Sequence, residues 1–249
     1  MELKELPKFD ELRLFYGMPL VVNGHITVYQ PKMRHIVEMG EAEYSSVVSA
    51  LTAISSDCKS LLWDIGVDWC AFEDIEMFAL LTHKLTPDST REFLGELDLS
   101  MFKLRKRENG QLFMENDAGV EIDVTIHSII ADAIRQMHGL KKRPEFPGND
   151  MTKRFLIDED RERRIINARK KQDSQLKLLV SRAVNSPEFK YNLEQTLDLT
   201  VYQFMDSVYS IQAVSEAANL SAGIYSGNID VKKMSIDTKR RANRFENIK

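Results

Sequence analysis

Cysteine is scarce in this sequence: of 249 residues, only Cys58 and Cys70 carry a thiol. Two thiols make at most one bridge, so a disulfide framework is excluded and a reducing compartment is the simpler expectation. Long apolar runs are missing too. None approaches the ~18 residues a membrane-spanning helix requires, and Met1-Glu2-Leu3-Lys4-Glu5 has neither the basic start nor the apolar stretch of a secretion signal. The expectation is a soluble protein with no membrane partner, resident in the cytoplasm where it is made.

The motifs of common chemistries are absent as well. No phosphate loop of the Gly-x-x-x-x-Gly-Lys-Ser/Thr kind occurs, and neither does Gly-x-Gly-x-x-Gly. Gly-x-Ser-x-Gly is missing, so nucleotide-driven and triad chemistry have no foothold. His25, His35, His83, His127 and His138 never pair at the spacing that puts two ligands on one metal, and Cys58 and Cys70 are too far apart for a zinc knuckle. The sequence therefore predicts no metal, no cofactor and no catalytic residues.

What is present is an ordinary globular composition, 43% hydrophobic and 29% charged, with a net charge of −4. That charge is uneven: Arg161 to Lys171 holds six basic residues against Glu162, and Lys232 to Lys249 holds seven against Asp237 and Glu246. Phosphate contacts would use such clusters, but without aromatic interleaving a solvated helix face and a basic tail explain them more simply, and a nucleic-acid partner is disfavoured.

The pattern along the chain is α+β and predominantly α-helical. Two β-prone runs around Asn23-Gly24, within 19–29, predict an N-terminal β-hairpin, since Asn-Gly accepts the positive φ angles of a tight turn; Leu12 to Tyr16 offers a third strand. Helical spacing follows Pro31, then over Glu41 to Ala53 with Tyr44, Val47, Val48 and Leu51 inward, over a short stretch carrying Leu61, Leu62 and Trp63, and over Asp74 to Leu85. Met101–Lys106, Gln111–Glu115 and Val120–Val124 read as a short β-meander near 101–124, joined by Asn109-Gly110 and Asn116-Asp117-Ala118-Gly119. Thr125 is the expected cap of a helix reaching about His138, with Ile126, Ile129, Ile130, Ile134 and Met137 as its stripe.

Pro144, Pro147 and Gly148 in a polar stretch mark a linker. The predicted organisation is a mixed domain over 1–140, a linker over 141–150, a helical, bundle-like domain over 151–230 and a basic tail over 231–249. Helices are expected near 151–171, 174–185, 188–195 and 200–221, the last capped by Thr200, with Val201, Phe204, Met205, Val208 and Ile211 on one stripe.

One segment invites a catalytic reading. Leu61-Leu62-Trp63-Asp64-Ile65-Gly66 ends an apolar run in Asp, as does the first strand of metal-dependent nucleases, and Glu121, Asp123, Asp158, Glu159 and Asp160 are candidate companions on two metal ions. The run is too short and too helix-like for that strand, which makes Asp64 a residue of the turn after a helix, stopped by Gly66.

Val28-Tyr29-Gln30-Pro31 leading to Ile36-Val37-Glu38-Met39-Gly40-Glu41, then Leu62 to Asp68, then Phe204-Met205-Asp206-Ser207-Val208 and Ile224 to Asp230, resemble proteins of the tail modules of phages and prophages of Gram-positive bacteria, and among them tail assembly chaperones. The resemblance implies a non-enzymatic protein that assists tail assembly by binding tape-measure or tube proteins, with self-association as a further contact. It carries no catalytic residue over, and the meander at 101–124 departs from it, which keeps a structural virion component (neck, tail-completion or baseplate) as the rival and a nuclease as a remote one. The contact surface is expected on the C-terminal helices around Tyr202, Phe204 and Tyr209, and on the basic tail. Location would be the cytoplasm of the bacterial host, or the virion if structural.

Overall fold

In the computed structural model, residues 9–169 and 174–242 are described. Asp10 opens the first of them by accepting from the N–H groups of Leu12 and Arg13, which caps a short helix α1 (Glu11–Phe15) where a third strand was expected. The hairpin follows as β1 (Leu20–Val21) and β2 (Thr27–Val28), paired antiparallel. Its turn works differently from the expectation. Neither Asn23 nor Gly24 takes a positive φ; the Asn23 side chain instead accepts from the N–H groups of His25 and Ile26, both at 2.9 Å.

Helices α2 (Met33–Met39) and α3 (Glu41–Thr52) follow, and Tyr44, Val47, Val48 and Leu51 are buried as the periodicity predicts. A 3-10 turn, Ser55–Cys58, leads into α4 (Lys59–Asp64), where Leu62 is buried while Leu61 and Trp63 face outward. Next come α5 (Asp74–Thr82) and α6 (Pro87–Leu94), the latter capped by Thr86 with proline in its first turn. The meander is β3 (Lys103–Lys106), β4 (Leu112–Glu115) and β5 (Glu121–Asp123), antiparallel in the order β3-β4-β5, with Met114 opposite Ile122 on the buried face. Asp123, not Thr125, caps α7 (Val124–Met137) by accepting from Ile126 N–H at 2.8 Å. Ile129, Ile130, Ile134 and Met137 are buried there, and so is His127.

The fold is thus α+β and predominantly helical, with two small antiparallel sheets among the described residues. It divides into two units. The first runs to Ser174 and includes Thr200–Tyr202; the second comprises Gln175–Leu199 and continues from Gln203. The sequence put a linker at 141–150, whereas the division falls after Ser174, because helix α8 (Asp150–Arg169) packs on α4 within unit 1. Polar contacts explain this. Asp160 of α8 is buried against Ser60 of α4, and the extended stretch before α8 is tied down by Glu145 to Lys59 at 2.8 Å and by Lys142 to Asp74 at 2.6 Å.

Unit 2 holds α9 (Gln175–Val184), α10 (Leu193–Thr196), most of α11 (Val201–Tyr225), a 3-10 turn at Val231–Lys233 and α12 (Ile236–Arg241). Asn192 caps α10 in a reciprocal box with Gln195. The expected basic tail falls partly at 243–249, and the basic cluster after Arg161 partly at 170–171; both stretches lie outside the described residues.

Candidate protein-binding surface

Carboxylates that might have gathered round a metal are distributed among other tasks. Asp64 ends α4 and receives Arg161 at 2.6 Å; the same guanidinium holds Asp158 at 2.9 Å. Glu121 pairs with Arg107 across the meander, and the Asp123 carboxylate caps α7. Asp160 accepts from Ser60 N–H at 3.1 Å, from the Ser60 hydroxyl at 2.7 Å and from Arg164 Nε at 3.0 Å. Burial opposes its charge, but the Ser60 bonds and Arg164 outweigh it and hold the carboxyl below its ordinary range. Among the described residues no group of three or more His, Cys, Asp or Glu is placed to hold a metal ion.

Buried titratable groups in unit 1 are packed rather than poised over open space. Tyr44 donates its hydroxyl hydrogen to His138 Nε2 at 2.7 Å, while His138 Nδ1–H donates to Ile134 O at 2.7 Å, which sets the tautomer from the partners. Burial raises the Tyr44 phenol and lowers the His138 imidazole. His127, with its ring 4.6 Å from that of Phe78, is pushed down to about 4 by burial.

Unit 2 has a different character. The residues expected to form a contact surface separate into three situations. Phe204 is fully buried, its ring edge-on to Phe189 at 6.3 Å, so its side chain serves the core and offers no surface; this corrects the expectation for that residue. Its place on the stripe with Val201 and Val208, both buried, is the reason: an i, i+3, i+7 apolar run turns inward first. Tyr202 is half-buried and belongs with unit 1. Tyr209 alone of the three is exposed, at 59%.

Beyond Tyr209 the same helix carries an open groove of about 590 Å³, lined by Ile211, Gln212, Ser215, Glu216, Leu220 and Ile229 among others. Spacing of four residues lays Ile211, Ser215 and Asn219 along one side, with Gln212, Glu216 and Leu220 beside them. The far wall forms because α11 ends sharply. Gly227 takes φ +73, and Ile229 N–H donates back to Gly223 O at 3.0 Å, so the chain reverses onto its own helix. Gly223 permits the approach, since a Cβ there would stand 2.5 Å from Ile229 Cδ1. Arg241 of α12 then reaches Glu216 at 2.8 Å and fixes one edge. Sequence periodicity missed this groove because its third wall comes from the reversal after Gly227; that glycine after a long helical pattern was the available signal.

By fold and surface this is a helix-dominated α+β protein of two units whose second unit presents an open helical face. Residues 169–240, which span most of that unit, match the family model described as the YomV second domain. The family is phage-associated, its namesake coming from a Bacillus prophage, and the match supports a phage-derived protein. No curated protein and no solved structure matches the chain.

Proposed function

We propose that this chain is a non-enzymatic phage protein that assists tail assembly by binding other tail proteins, the tape-measure or tube subunits, through the outward face of α11. The observation that carries the reading is the α11 face itself: Tyr209 at 59% exposure, the groove of Ile211, Leu220 and Ile229, and Tyr225 at 91%, within the segment matched to a phage-associated domain. Apolar side chains in an open helical groove suit a partner helix, which lays its own stripe against such a surface. The engagement of Asp64, Glu121, Asp123 and Asp160 in ion pairs and caps supports binding over hydrolysis.

A photo-crosslinking residue in place of Tyr209, in cells producing the whole tail module, tests this. An adduct with a tape-measure or tube protein, absent when the crosslinker replaces exposed Lys106 on the meander, is the expected result. Adducts at both positions or at neither overturn it. Recovery of the chain in purified virions would assign it a structural place in the particle instead of an assembly role.

A further inference from the structure

Unit 1 carries a pocket of about 630 Å³ beside the extended chain that precedes α8, a volume ordinary for a ligand site. Ile54, Trp69, Phe72, Ile75 and Pro144 give it apolar walls, and Phe146, 87% exposed, stands at its mouth. Two buried donors in this lining lack an acceptor. The Trp69 indole N–H, in a residue 1% exposed, has no hydrogen-bond partner. The Ser56 hydroxyl, in a residue 6% exposed, accepts from Glu145 N–H at 3.1 Å, and among the described residues nothing accepts its own hydrogen. Buried donors of this kind normally find an oxygen.

Charge narrows what can supply that oxygen. Asp74 in the lining is paired with Lys142 at 2.6 Å, and Glu145 with Lys59 at 2.8 Å, while Glu73 is exposed at the rim. A carboxylate or phosphate would enter past Glu73 into walls with no unpaired cation, and a cation would find the inner acids already engaged. The lining therefore suits an uncharged apolar group flanked by carbonyl oxygens. The outer wall adds a further requirement. No helix or strand forms over 141–148, and among the described residues its main chain makes one hydrogen bond within the protein, from Glu145 N–H. Pro144 and Pro147 bias the residues before them toward extended backbone, so the other main-chain groups of this wall are open to a second extended chain laid alongside.

We propose that this pocket binds an extended, uncharged peptide segment of a partner protein, seating one aromatic side chain against Trp69 and Phe72 while the flanking carbonyls accept from the Trp69 indole and the Ser56 hydroxyl. Aromatic walls favour an aromatic occupant through offset or edge-on ring contacts, and the Phe146 ring covers it from the solvent side. The proposal does not rest on the tail-assembly reading, which concerns the other unit.

The full chain carrying Trp63→Phe keeps one indole, that of Trp69, and its N–H resonance reports the contact by NMR. Titration with the blocked peptide acetyl-Ala-Ala-Phe-Ala-Ala-amide should move that resonance downfield and saturate, with a midpoint below about 1 mM. Acetylphenylalanine amide, which has the ring and carbonyls without the extended chain, should bind about tenfold more weakly, and acetylphenylalanine with its free carboxylate more weakly again. Phe146→Ala, at an exposed position, should weaken the peptide about fivefold or more and leave the thermal midpoint unchanged. An indole resonance that does not respond, a single blocked residue that binds as tightly as the pentapeptide, a carboxylate that binds best, or a Phe146→Ala chain that binds like the parent overturns the proposal.

Discussion

Asp160 reaches across a separation of 100 residues to accept both the backbone N–H and the hydroxyl of Ser60, at 3.1 and 2.7 Å. This pair fastens α8 to α4, and Arg164 completes it by bridging Asp160 to the carbonyl of Asp57. Asp160→Ala should therefore cost about 3 kcal/mol in urea unfolding, the scale for breaking a buried charged network. A loss under about 0.5 kcal/mol, ordinary for a surface site, would show that α8 is held by other means. Because the folded carboxyl is held below its ordinary 3.8, its contribution is complete above that pH and disappears as pH falls through the lowered value.

His127 gives a second, separable pH effect. Burial lowers its imidazole from 6.5 to about 4, so the unfolded chain takes up a proton before the native one does. Stability is full above pH 6.5 and declines as pH falls toward 4, by about 3 kcal/mol on the ~1.4 kcal/mol per unit conversion. Arg135 and Lys142 nearby act in the same direction, while Asp74 and Asp132 oppose it. His127→Phe should flatten the stability profile between pH 6.5 and 4; an NMR titration placing the His127 midpoint near 6.5 would contradict the account.

Lys59 is 1% exposed, and its ammonium is held by Ser56 O at 2.9 Å, by Glu145 at 2.8 Å and over the Trp69 ring at 5.7 Å. Removing the acid leaves a buried charge, whereas removing the charge leaves an apolar stem in an apolar place. Glu145→Ala should destabilise by about 2 kcal/mol, tempered by water reaching the half-exposed carboxylate, and Lys59→Met should cost less than about 1 kcal/mol. Thermal unfolding of both variants checks the order, and a reversed order refutes the reasoning.

In unit 2, Phe204 and Tyr209 should separate stability from binding. Phe204→Ala should lose about 3 to 4 kcal/mol through the cavity it leaves, while Tyr209→Ala should change stability by less than about 0.5 kcal/mol. Under the proposed function, Tyr209→Ala should nonetheless reduce capture of the proposed partner. Equal unfolding losses for the two would mean that Tyr209 is also part of the core.

Gly223→Ala pushes a methyl group into Ile229, with Cδ1 at 2.5 Å and Cγ1 at 2.9 Å. Overpacking of this kind costs about 1 to 2 kcal/mol. Adding Ile229→Ala should recover part of the loss, and hydrogen exchange at the Ile229 amide reports whether its bond to Gly223 O persists. A single variant as stable as the parent would remove the steric argument.

Much of unit 1 was legible because its elements are local. The α3 stripe, the meander strands and the α7 stripe obey periods that a single helix or strand imposes on its own residues. Errors fell where two local solutions compete. Leu12 to Tyr16 reads as a strand until Asp10 caps it into a helix, and Thr125 yields its capping role to Asp123 because the preceding strand ends two residues earlier.

The candidate surface was legible in part. Placing it on the C-terminal helices followed from periodicity, but periodicity identifies a stripe without saying whether the stripe faces a core, and Phe204 proved to face one. The groove farther along α11 depends on Ile229 returning to Gly223, a contact between segments.

What the sequence determined alone was the α+β class, the helical weighting and the position of most elements, since hydrophobic period and turn residues act within a few positions of one another. Tertiary structure alone decided that α8 belongs to the first unit and that its far face stays exposed. The Pro-rich stretch at 144–148 does break the helical pattern, but a break in regular structure is not a break in packing: Glu145, Lys59, Asp160 and Ser60 are brought together only by folding, and they carry the first unit past that stretch.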